Sequence, residues 1–116
     1  MMQIKLFDYQ IVILKEIFKK YFVDKFSSFE KFLKYYPYKR RSINVSGEYL
    51  LLKHLRDSKE DDIELCKSTI IVESKELKNS AEFIVWIGSD SILIEGYSFE
   101  DRWLKSDSKI YIINHL

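Results

Sequence analysis

The stretch EFIVWIGSDSILIEGY, residues 82–97, decides how this chain folds. Two runs of Ile, Val, Leu, Phe and Trp flank Gly88, Ser89 and Asp90. β-Branched and aromatic side chains fit the pleated surface of a strand, and Gly and Asp tolerate the positive φ of a tight turn. The stretch therefore predicts a β-hairpin. Both of its faces are apolar, with Phe83, Val85 and Ile87 on one and Ile84 and Trp86 on the other. Such a sheet is expected to be covered by helices on one side, and partly by a partner or the C-terminal segment on the other.

Outward from the hairpin, STIIVES (residues 68–74) and KIYIINHL (residues 109–116) add two more strands. Residues 8–22 read as a helix. Asp8 is placed to cap it, and Ile11, Leu14, Ile17, Phe18, Tyr21 and Phe22 form one apolar stripe at three- and four-residue spacing. A second helix restarts at Ser27 or Ser28, turns Phe29, Phe32, Leu33 and Tyr36 inward, and ends before Pro37, which disfavours helical geometry in the preceding residue. Residues 47–57 are open to strand or helix; the abundance of Leu, Glu, Lys and Arg favours a third helix. The expected fold is α+β, with N-terminal helices packed on a mostly antiparallel C-terminal β-sheet. It forms one domain over residues 1–116, helical over about 8–57 and sheet over about 68–116.

The composition suits a folded domain. Hydrophobic residues make up 47% and charged residues 32%, which excludes a mainly disordered chain. Cys66 has no second cysteine to pair with, which fits a reducing, cytoplasmic setting. The apolar N-terminal run is broken by Asp8, Gln10, Lys15 and Glu16, so neither a signal peptide nor a membrane span is expected there. Charge is uneven: residues 1–58 hold 12 basic and 6 acidic side chains, residues 59–116 hold 7 and 12. That asymmetry is compatible with a surface of two electrostatic characters.

Signatures of chemistry are sparse. His54, Cys66 and His115 lack ligand spacing, so no metal or other cofactor is expected. None of the thirteen serines sits in a nucleophile elbow, and no Gly-rich phosphate loop occurs. Glu95, Glu100 and Asp101 come nearest to an acid–base set, and read more simply as solvated loop acids. No catalytic residue is assigned, and a small enzyme of unknown reaction remains an alternative. KYYPYKRRS, residues 34–42, interleaves tyrosines with Lys39, Arg40 and Arg41, as a nucleic-acid-binding module would. The near-neutral net charge and the lack of a recognised motif weigh against that alternative.

The segment after the hairpin alternates acids with aromatics: Glu95, Tyr97, Phe99, Glu100, Asp101, Trp103. Gly96 permits a bulge or kink there. Tyr and Trp anchor binding hot spots, and neighbouring acids steer a basic partner. Equally, the aromatics could complete the core and leave only the acids outside. Asp61, Asp62 and Glu64 add to the acidic supply. The expected partner-binding set is Glu95, Tyr97, Glu100, Asp101, Trp103, Asp61, Asp62 and Glu64. With IEGYSFEDRW following a strand, the chain resembles the small immunity proteins of bacterial contact-dependent growth-inhibition and other polymorphic-toxin systems. The resemblance implies one-to-one binding to a cognate toxin domain, often a nuclease, in the cytoplasm. The aromatic surplus would also suit a homodimer.

Overall fold

The computed structural model describes residues 5–55 and 64–116. Helix α1 (Asp8–Ile17) continues into a wider π-helical turn (Phe18–Phe22), and α2 (Phe29–Tyr35) follows. Six strands come next: β1 (Tyr38–Asn44), β2 (Gly47–Lys53), β3 (Glu64–Glu73), β4 (Ala81–Gly88), β5 (Ser91–Ser98) and β6 (Tyr111–His115). They form one antiparallel sheet in the order β1-β2-β5-β4-β3-β6. The fold is α+β.

The expected β4–β5 hairpin is present, with Val85 opposite Ile94 and Ile87 opposite Ile92. Along β4 the odd-numbered residues from Ala81 to Ile87 are buried and the even-numbered ones half-buried, because the helices cover one face only. Tyr9, Ile13, Leu14 and Ile17 of α1 join Phe83, Val85, Ile94 and Leu50 in the core. Each such aliphatic side chain contributes about 1.5–3 kcal/mol by leaving water. Helix α1 crosses the sheet: Gln10 touches Glu48 of β2, while Glu16 touches His115 of β6. Phe22, Phe26, Phe32 and Tyr36 form an aromatic cluster beside it, with the Phe22 and Phe32 rings 4.9 Å apart.

Three expectations about local structure need correction. Residues 47–57 do not begin a third helix; residues 47–53 are strand β2, and β1 precedes it as a hairpin partner. Among the described residues the last helix thus ends at Tyr35 and residues 47–53 are strand, while residues 56 and 57 lie outside the described residues. Glu48, Leu50 and Leu52 face the helices while Tyr49 and Leu51 face the other way, a two-residue period. Leu50, Leu51 and Leu52 are consecutive, so apolar side chains fall on both faces of β2, and that masked the alternation. Asp8 is not the cap of α1: it lies in the first turn, and the Phe7 amide donates to Gln10 Oε1 at 2.8 Å. Gly96 makes no bulge, since the ladder runs through it from Glu48 to Gly96 to Phe83. Its missing Cβ instead makes room for rings: a methyl there would lie 2.7 Å from Phe83 and 2.8 Å from Trp103. Ser28 does cap α2, its Oγ accepting from the Lys31 amide.

Candidate functional site

The helix-free face of the sheet is built from the side chains that alternation turns outward. Cross-strand pairing lays them in rows: Arg40, Leu51, Leu93, Trp86 and Lys67 across five strands, then Ser42, Tyr49, Glu95, Ile84 and Thr69. Tyr97 and Glu82 stand opposite each other in the next row. Lys67 Nζ sits 4.3 Å from the centre of the Trp86 ring, a cation–π contact.

At one end of this face, acids and aromatics meet. The Tyr97 hydroxyl donates to Glu82 Oε2, and that bond, ahead of burial, raises the Tyr97 pKa. The Phe99 ring stands edge-on to Tyr97 at 5.5 Å and is 64% exposed. The β1–β2 turn reaches the same end, because the Ser98 amide donates to the Ser46 carbonyl at 2.8 Å. Val45, at the tip of that turn, is 66% exposed. Exposed apolar side chains with an acidic surround have the anatomy of a protein-binding patch. Two hollows open on it: a groove of about 500 Å³ lined by Arg40, Ser42, Tyr49, Leu51 and Leu93, and a notch of about 150 Å³ whose lining includes Tyr49, Glu95 and Tyr97.

The expected partner-binding residues divide. Glu95 and Tyr97 lie together on the open face, with Glu95 opposite Tyr49. Asp101 is exposed in the turn after β5. Glu100 is beside it, but its carboxylate accepts the Lys78 amide at 2.9 Å and so holds two loops together. Trp103 is corrected from surface to core: it is 8% exposed, with its ring 5.6 Å from Phe83 and 6.3 Å from Tyr9. Glu64 begins β3, whereas Asp61 and Asp62 fall outside the described residues. Among the described residues, no lysine or arginine pairs with Glu82, Glu95, Glu100 or Asp101. Sequence reasoning missed Tyr49, Glu82 and Val45, which only strand pairing brings to this end.

The basic stretch is partly consumed by the fold. The Arg41 guanidinium lies 3.8 Å from the Phe7 ring centre and donates to the Lys5 carbonyl and to Gln10 Oε1. Tyr36 is buried, and Tyr35 stacks on Phe26.

Two buried polar groupings escaped the sequence. Glu48, 3% exposed, accepts from Gln10 Nε2 at 2.8 Å. Burial raises its pKa against the opposing pull of Tyr9, Gln10, Arg41 and Trp103. The same burial, with Glu48 nearby, raises that of Tyr9. The second grouping has the outline of a hydrolase triad: His115 Nε2 is 3.0 Å from Ser68 Oγ, and His115 Nδ1 is 3.1 Å from Glu16 Oε1. Ser68, however, is only 5% exposed, so its hydroxyl is shut off from substrate. The next amide, which would have to stabilise an oxyanion, donates to the Leu116 carbonyl. The contacts fasten β6 to β3 and α1. Among the described residues, no group of three or more His, Cys, Asp or Glu could hold a metal ion, and no helix is long and apolar enough to cross a membrane.

Comparison with protein-family models, with curated proteins and with solved structures returned no match.

Proposed function

We propose that this protein is a bacterial immunity protein that binds one cognate toxin domain in the cytoplasm, most simply a nuclease, and occludes its basic surface. A nuclease must present cationic side chains to phosphates. Carboxylates held on a rigid sheet can occupy those side chains without performing chemistry. The observation that carries this reading is the end of the open face, where Glu95 has no basic partner among the described residues and lies with exposed Phe99, Val45 and Tyr49, while Asp101 is exposed in the turn that follows β5. The apolar groups supply buried area, and the acids supply steering and register.

The test is co-expression with the product of the neighbouring gene in the native host. The reading requires a stable equimolar complex, and rescue of cells from the toxic activity of that product. Recovery of nucleic acid with the protein, or turnover of a substrate without any partner, would overturn it.

A further inference from the structure

Tyr49 is the shared wall of the two hollows on the open face. On one side is the groove, floored by Leu51 and Leu93 and bounded by Arg40. On the other is the notch, where the Glu95 carboxylate lies beside the Tyr49 and Tyr97 rings. We infer that the open face receives an arginine and a neighbouring large apolar side chain of a protein partner, the arginine in the notch and the apolar group in the groove. This inference rests on the binding role proposed above and names the chemistry that the surface selects.

Three observations favour that occupant. Glu95 has no basic partner among the described residues, so the notch presents an uncompensated negative charge. Two of its lining residues are tyrosines, set among polar Asn44 and Ser46, and a flat guanidinium stacks on tyrosine while its forked donors reach a carboxylate; an ammonium does this less well. The groove offers aliphatic surface and holds its cation, Arg40, away from the notch, so a second basic group is disfavoured there.

The probes are three capped dipeptide amides, leucyl-arginine, leucyl-lysine and leucyl-citrulline, titrated into the intact protein by two-dimensional NMR. Citrulline keeps the shape of arginine and removes its charge. The expected result is perturbation centred on Tyr49, Leu51, Leu93, Glu95 and Tyr97, with the arginine peptide about tenfold tighter than the citrulline one. Glu95→Gln should abolish the preference while the rest of the spectrum is unchanged. No localised shift, or equal response to arginine and citrulline, overturns the inference. If the arginine-selective shifts appear but no toxin is neutralised, the immunity reading fails and the surface assignment stands. If a toxin is neutralised without arginine selectivity, the reverse holds.

Discussion

Gln10 and Glu48, thirty-eight residues apart in sequence, are joined by a buried 2.8 Å hydrogen bond that pins the start of α1 to β2. Gln10 is held in turn by the Phe7 amide and by Arg41. Because burial raises the Glu48 pKa, the fold favours the neutral acid. The sign follows from linkage: stability from this group is fully present below its unfolded pKa, about 4.3, and is lost as pH rises through the folded value. Glu48→Gln keeps an acceptor for Gln10 and cannot ionise. Thermal melts across pH should show the variant gaining on the parent as pH rises through the folded-state titration of Glu48. A constant difference between the two curves would show that ionisation of Glu48 is not coupled to folding.

Gly96 is required by its neighbours. Gly96→Ala drives a methyl into the Phe83 and Trp103 rings, and should cost about 1–3 kcal/mol in urea denaturation. A neutral result would mean that both rings move aside freely.

Trp103 and Phe99, four residues apart, should separate folding from binding. Trp103→Ala empties a buried ring site and should cost about 3–5 kcal/mol of stability. Phe99→Ala should change stability by no more than about 0.5 kcal/mol, yet weaken the proposed complex with a toxin domain by about 2 kcal/mol. Calorimetry on each variant, alone and with partner, reads both quantities.

The acids are not equivalent. If the proposed toxin partner binds here, Glu95→Lys and Asp101→Lys should slow its association, most at low salt, and leave the melting temperature unchanged. Glu100→Lys should lower stability by about 1 kcal/mol as well, because it removes the acceptor of the Lys78 amide. Stopped-flow association at two ionic strengths, beside melting curves, distinguishes the two behaviours. Unaltered association rates for Glu95→Lys would remove the steering role.

His115 is a fastener. His115→Ala should destabilise the protein by about 1–3 kcal/mol, through the buried Ser68 hydroxyl left without a partner. Hydrolysis of a nitrophenyl ester by the parent protein should not exceed that of free imidazole. A burst of nitrophenol abolished by Ser68→Ala would reinstate the triad as a catalyst.

The two helices and the β4–β5 hairpin were legible because each keeps its own period: three to four residues in α1 and α2, and a glycine-marked turn between two β-branched runs. Strand β2 was not, since three consecutive leucines satisfy either period and the choice is made by β1 and β5 on its flanks. Strand β1 was hidden for another reason: as an edge it carries Lys39, Arg40 and Arg41 in place of an alternating apolar pattern. At the acidic and aromatic end of the open face, Glu95 and Tyr97 were grouped in the sequence because they are near neighbours in the chain. Tyr49, Glu82 and Val45 join them only through pairing, which composition does not encode.

The strand order also bears on the tempo of refolding. The hairpins β1–β2, β3–β4 and β4–β5 connect sequence neighbours and can zip locally. The β2–β5 seam must bring Gly47 beside Tyr97 across a long intervening chain, and its closure entropy is met before the sheet is whole. That seam is the natural barrier-crossing event, so substitutions along it should slow refolding, while changes at the β6 edge should mainly hasten unfolding.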